Sequence, residues 1–177
     1  MVASLGGLGF AWRALGLVIP LYGTWVLDVR NILIMMIGFA GGPYAAIISG
    51  LLYGIPSGLP LIDLWYYPVQ GLIMAAAAKT IWKNKGIAKY GLALITCAIA
   101  NAIVSFFTVV VLSDYGFGLV AFWPYFNTIF LGGIYFIYII AQIIGLFIAL
   151  EFFPDYMKPS WSWKGGEELD DEDLGEG

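Results

Sequence analysis

The sequence predicts an all-α protein, a polytopic membrane helical bundle of six transmembrane helices, or five if residues 32–54 form one span. Three observations predict it. Apolar residues make up 61% of the 177-residue chain and charged residues 11%, against about 45–50% and about 25% in soluble domains; so little polar surface points to lipid. The apolar runs are continuous rather than alternating, which argues against a transmembrane β-barrel and for helices, whose backbone bonds to itself in lipid. The only basic cluster, Lys79, Lys83, Lys85 and Lys89, falls in one short connection, which the positive-inside rule assigns to the cytoplasm.

Residues 1–155 are read as one membrane domain and 156–177 as a cytoplasmic, acidic, disordered tail. Seven of the twelve acids follow Lys164; up to that residue eight basic and five acidic side chains leave the membrane part at net +3. No self-contained nucleotide-binding unit or kinase is expected at this length. Cys97 is the sole cysteine and histidine is absent. A disulfide framework and a thiolate metal site are therefore not expected, and the commonest metal ligand and general base is missing.

Taken in order, Met1–Leu27 is apolar except for Arg13 and lacks the basic start of a signal peptide. Helix 1 begins either near Ala14, with Arg13 at the interface, or near Val2, with Arg13 at depth, where arginine is costly. Pro20 would kink that helix. Ala3, Gly7 and Ala11, four apart, would make a smooth helix face suited to close packing. Asp28–Asn31 is a polar connection. Ile32–Ala40 and Tyr44–Gly54 are two short helices meeting at Gly41-Gly42-Pro43, or halves of one span. Ala46, Gly50 and Gly54 repeat at four residues as a second packing face.

Two prolines and a glycine mark Ile55–Asp63 as a loop, with Asp63 the N-cap of a helix running from about Leu64 to Trp82. The lysine loop follows, then a helix from about Tyr90 to Leu112 and a short loop, Ser113–Gly118. The last helix starts between Phe122 and Asn127 and reaches Phe153, where Pro154 ends it. Trp161 and Trp163 suit a membrane interface. The acidic run after them is a like-charge block that should stay disordered. With six helices and the lysine loop inside, both termini are cytoplasmic.

No nucleophile elbow, phosphate-cradling loop or intrahelical carboxylate pair appears, so neither an enzyme nor a resident cofactor is expected. Asp28, Asp63, Asp114 and Glu151 sit at predicted helix ends and read first as caps. The informative residues are uncharged. Asn101, Ser105 and Thr108 share one face of their helix, and Asn127, Tyr135, Tyr138 and Gln142 form a stripe on the last one. Tyr66 and Gln70 lie one turn apart, and Trp65, Tyr66, Tyr67, Trp123 and Tyr125 crowd the same outer rim. These groups converge either as interhelical hydrogen bonds, worth about 0.6–2 kcal/mol each, or as the walls of a pocket. Aromatic walls with a few fixed hydrogen-bonding groups suit an uncharged, ring-containing small molecule.

A small six-helix membrane protein with a polar first outer loop and a Gly41-Gly42-Pro43 corner followed by Ala46, Gly50 and Gly54 resembles the substrate-binding S component of an energy-coupling factor (ECF) transporter. The resemblance implies uptake of a vitamin or precursor and partnership with a shared scaffold membrane protein and two ATPase subunits. It also implies coupling through small residues of helix 1, here Ala3, Gly7 and Ala11. Arg13 and the missing basic N-terminus depart from that pattern. Asp28-Val-Arg30 followed by Gly38 and Gly41-Gly42-Pro43 also resembles the five-helix sensor region of LytS-type histidine kinases.

The expected function is thus capture of a small molecule at the cell membrane, within the lipid bilayer and with no nucleic-acid partner. The candidate substrate-binding residues are Asp28, Arg30 and Asn31 in a gating loop, Trp65, Tyr66 and Gln70, Asn101, Ser105 and Thr108, and Trp123, Asn127 and Tyr138. The alternative is a structural or sensory membrane protein without a transported ligand.

Overall fold

Helices carry the fold, as a chain this poor in polar side chains requires in lipid. The computed structural model describes residues 1–17, 19–22, 25–57, 60–159 and 161. In order they form α1 (Val2–Ala14), β1 (Ile19–Tyr22), β2 (Trp25–Leu27), α2 (Arg30–Gly54), α3 (Pro60–Lys83), α4 (Gly86–Leu112), α5 (Phe122–Phe130), α6 (Ile134–Phe152) and α7 (Pro154–Met157).

The decisive element is α2, which is not straight. Gly42 leaves helical geometry at φ 75°, ψ −168°, just before Pro43. The guanidinium of Arg30 reaches the backbone carbonyl of Tyr53, 23 residues further on. In a continuous helix those residues stand about 35 Å apart. The chain therefore folds back at Gly42 into two antiparallel arms, 30–41 and 43–54, and the expected glycine-proline corner is present. Each arm is about 18 Å long.

Small residues let three helical segments close on one another. Along α3, Gly71 meets Ile34 of the first arm and Ala46 of the second, and Gly38 sits against the Gly71 backbone. Gly50 then meets Pro68 and Gly54 meets Leu64. The repeat at Ala46, Gly50 and Gly54 thus packs on α3, because a Cβ at either glycine would overlap the α3 backbone. The α1 helix lies beside the second arm, with Val2 near Gly41, Gly6 near Ser49 and Gly9 under the Tyr53 ring. The Tyr53 hydroxyl donates to the Leu5 carbonyl at 2.7 Å.

These neighbours place two ends on the molecule. Arg13, Asp28, Arg30, Tyr53 and Asp63 mark one. Val2, Gly42, Lys79 and Trp161 mark the other. Both α1 and the last described residue reach the Lys79 end, on the side of the 84–85 connection.

Two expectations about the elements are corrected. Helix 1 starts at Val2, ends at Ala14 and carries Arg13 in its last turn. It does not continue through Pro20; Ile19–Tyr22 and Trp25–Leu27 pair as two antiparallel strands, with Ile19 opposite Leu27. Gly16, at φ +69°, turns the chain out of the helix, Pro20 cannot continue one, and Ile19 and Val26 favour strand. The last long helix is also interrupted. Gly133 takes φ +87°, a left-handed conformation that separates α5 from α6.

Among the described residues, three stretches are long and apolar enough to cross a membrane: Arg30–Gly54, Gly86–Leu112 and Phe122–Phe152. The first of them spends its length in two arms, each shorter than the roughly 30 Å hydrocarbon core. The inside-out placement of side chains on α4 also marks a membrane protein. Ile95, Ile99, Ile103 and Phe106 are exposed, whereas Thr96, Asn101 and Ser105 are buried. Water would reject such a surface and lipid accepts it.

The chain after α6 is not detached at residue 156. Met157 is fully buried, and the Trp161 indole N–H donates to the Phe39 carbonyl at 3.2 Å. The Trp161 ring lies against Gly42, with Lys79 Nζ 5.2 Å from its centre. Trp161 thus covers the α2 corner. It satisfies a carbonyl that the break leaves without a helical partner. The expected disordered run, with Trp163, lies outside the described residues.

Candidate functional site

A cavity of about 220 Å³ opens at the Arg30 end. A cavity of about 150 Å³ already takes up benzene, so there is room for a substituted ring. Arg13 enters from α1, Asp28, Arg30 and Asn31 from the start of α2, and Ser57 from the loop before α3. Asp63, Tyr66 and Tyr67 come from α3, and Ser105 and Thr108 from α4. Tyr125 of α5 and Tyr138 of α6 close the far wall.

One edge of the cavity is an ion cluster. Asp28 caps the start of α2: its Oδ1 accepts from the Arg30 backbone N–H at 2.9 Å. Its Oδ2 accepts from Arg30 Nε at 2.8 Å and from Nη2 at 2.6 Å. The same Nη2 reaches Asp63 Oδ2 at 3.2 Å, which also accepts from Ser57 Oγ at 2.5 Å. Nη1 donates to the Tyr53 carbonyl, and the Tyr67 ring centre lies 4.6 Å from the guanidinium. Arg30 is only 2% exposed. Two carboxylates and a carbonyl make that burial tolerable, since an unpaired charge there would cost several kcal/mol, of order 3–5.

Behind the cavity runs an amide chain through four helices. Gln70 Nε2 donates to Asn101 Oδ1 at 3.1 Å and lies 3.5 Å from the Tyr66 hydroxyl. Asn101 Nδ2 donates to the Cys97 carbonyl at 2.8 Å and to Gln142 Oε1. Gln142 Nε2 donates to the Asn31 carbonyl at 3.1 Å. Asn31 Nδ2 in turn points to the Asp28 carbonyl at 3.3 Å, which only accepts, so the amide orientation follows from its partner. That leaves Asn31 Oδ1 buried without a donor; Gln70 Oε1 is in the same condition.

The predicted site residues divide into three groups. Asp28, Arg30, Asn31, Tyr66, Ser105, Thr108 and Tyr138 line the cavity. Gln70 and Asn101 are fully buried behind it, in the amide chain. Trp65, Trp123 and Asn127 are outside the lining. Trp65 packs edge-on against Phe107 at 6.0 Å. Trp123 is 66% exposed and Asn127 is exposed too. The stripe that placed Asn127 with Tyr138 assumes one helix, and the break at Gly133 removes that register.

Arg13, Ser57 and Asp63 are lining residues that were not selected. Asp63 lies inside the first turn of α3, which begins at Pro60 and not at the expected Leu64, so it is not the N-cap that the sequence suggests. Its link to Arg30 spans 33 positions in the chain, and no local pattern carries that.

Ala3, Gly7 and Ala11 face outward and are exposed, while the α1 contacts within the chain run through Gly6 and Gly9. No protein-family model, curated protein or solved structure matches the chain.

Proposed function

We propose that this protein captures a small molecule at the membrane and serves as the substrate-binding subunit of an uptake transporter of the energy-coupling factor type. The observation that carries the reading is the cavity at the Arg30 end. Six helical segments surround it, tyrosines line it, and Asn31, also in the lining, has a buried Oδ1 that lacks a donor. A binding site is concave, largely apolar and furnished with a few fixed polar groups, and this cavity has that composition. The ligand is a vitamin or vitamin precursor on this reading, and the Arg30 end faces outward, because the lysine connection takes the cytoplasmic side by charge.

The outward face of α1, with Ala3, Gly7 and Ala11, suits close approach by another helix. That is where a scaffold membrane protein and its ATPase subunits would couple. Six crossings, with both termini cytoplasmic, belong to the same proposal. Purified protein is screened by thermal shift against vitamins and their precursors, and co-purifying small molecules are sought by mass spectrometry. A stabilising ligand is expected; silence in both experiments would sink the reading.

A second reading, a structural or sensory membrane protein without a transported ligand, draws on one observation. The Asp28–Arg30–Asp63 cluster already has a complete job in holding the arms of α2 together. On that reading, substitutions at Ser105 and Tyr138 change stability and nothing else.

A further inference from the structure

The ligand class can be narrowed from the placement of charge, given the capture reading on which this inference rests. Four charged side chains line the cavity: Arg13, Arg30, Asp28 and Asp63. They are not evenly matched. Arg30 is shared between two carboxylates, and Asp28 takes the shorter contact, 2.6 Å against 3.2 Å for Asp63. One negative charge is therefore in excess, and it resides on Asp63, whose side chain is 18% exposed. Arg13 is half-buried and has no carboxylate within 4 Å among the described residues.

The cavity thus carries an acidic pole at Asp63 and a basic pole at Arg13, and the two do not touch. Asn31 is 4% exposed, lines the same space, and leaves its Oδ1 without a donor. A buried acceptor without a donor costs about 1–3 kcal/mol, and it wants an N–H or O–H group. Tyr66, Tyr67, Tyr125 and Tyr138 provide the walls between.

We propose that the cavity takes a ring-containing zwitterion, with an ammonium or amidinium group toward Asp63 and Asn31 Oδ1 and an anionic group on Arg13. An uncharged ring, the class that the aromatic rim alone suggests, can supply a donor to the orphan acceptor but leaves both poles unanswered. A singly charged ligand answers one pole and leaves the other desolvated. Charge pairing inside a low-dielectric cavity is stronger than in water, so the double match dominates selection.

The full chain in lipid nanodiscs is titrated calorimetrically with probes sharing one benzene ring. These are para-(aminomethyl)benzoate, which carries both charges, para-methylbenzylamine, para-methylbenzoate and para-methylbenzyl alcohol. L-phenylalanine adds a zwitterion with both charges on one carbon. A zwitterion is expected to bind at least about tenfold tighter than either singly charged probe. Arg13→Gln should weaken the zwitterion about tenfold and leave the amine unchanged. Asp63→Asn should weaken the zwitterion and spare para-methylbenzoate.

Equal binding of a neutral or singly charged probe overturns the inference, as does Arg13→Gln weakening the amine equally. If Asp63→Asn fails to fold, the Arg13→Gln arm decides alone, since Arg13 makes no ion pair among the described residues. A non-zwitterionic ligand from the vitamin screen overturns this inference and leaves the capture reading standing. No binding by any probe or vitamin overturns both.

Discussion

Arg30 and Tyr53 are 23 residues apart in the chain and joined in space, the guanidinium Nη1 donating to the Tyr53 carbonyl. That bond ties the start of the first α2 arm to the end of the second. The same guanidinium holds Asp28 and Asp63. One side chain thus closes the helical hairpin, anchors α3 to it, and forms an edge of the cavity.

Arg30→Met is expected to be among the most destabilising single substitutions in the membrane domain. It leaves Asp28 and Asp63 without their cation and frees the Tyr53 carbonyl, a loss of about 3–5 kcal/mol by analogy with other broken buried pairs. Arg30→Lys keeps the charge but not the fork geometry, and should recover only part of the loss. Denaturation of both variants in detergent, compared with the parent, measures this. A parent-like melting temperature for Arg30→Met would contradict the hairpin.

At the opposite end, Gly42→Ala tests the corner. The backbone at φ 75°, ψ −168° is essentially glycine-only and costs other residues about 1–3 kcal/mol. The new Cβ also meets the Trp161 ring. Trp161→Ala alone leaves the Phe39 carbonyl without the indole donor, a loss of about 1–3 kcal/mol. The double variant should be less destabilised than the two single losses added, because removing Trp161 relieves the steric part of the Gly42 change. A double-mutant cycle reads that coupling directly.

The fold-back has a topological consequence. In a Cys97→Ala background, Val29→Cys and Ile55→Cys should react with a membrane-impermeant thiol reagent from the same side, and Lys85→Cys from the other. If residues 30–54 crossed once as a straight span, Val29→Cys would label together with Lys85→Cys and opposite to Ile55→Cys.

The cavity predicts a split between neighbours in sequence. Ser105→Phe fills the space and should abolish ligand binding in the calorimetric assay. Asn127→Ala and Trp123→Ala change exposed positions and should leave affinity within about twofold, and stability within about 0.5 kcal/mol. Equal effects from all three would point to a structural role for the whole set.

Buried amides behave differently again. Asn101 serves Gln70 on one side and Gln142 on the other. Asn101→Ala should therefore destabilise more than Gln70→Ala, whose loss strands one strong partner. The difference, about 1–2 kcal/mol, is read from urea or thermal unfolding of the two variants side by side.

Much of the helical framework was legible from local pattern. Long apolar runs, the prolines near 56–60 and at 154, and the lysine connection bound α3, α4 and the end of α6 to within a few residues. The corner at Gly41-Gly42-Pro43 was legible too, because glycine and proline act on their own backbone. Two local signals were misread. Ile19, Pro20 and Val26 favour a hairpin, yet an apolar context suggests helix, and Gly132-Gly133 breaks a run whose hydropathy is continuous.

Within the cavity lining, Tyr66, Ser105, Thr108 and Tyr138 were legible because helical periodicity groups them. Asn127 was wrongly grouped by the same rule, applied across a break. Asp63 reads as a cap and Arg13 as either an interface residue or one at depth, and their common cavity was not visible.

By itself the sequence determined the solvent in which this protein folds, since 61% apolar residues can be accommodated only where exposed side chains meet lipid. It also determined where the backbone must bend, because glycine and proline constrain φ locally. The tertiary structure alone decided which charges meet. Arg30 finds Tyr53 and Asp63 only after α2 has doubled back and α3 has packed against it, and coupling over 23 and 33 positions has no period that a sequence can display.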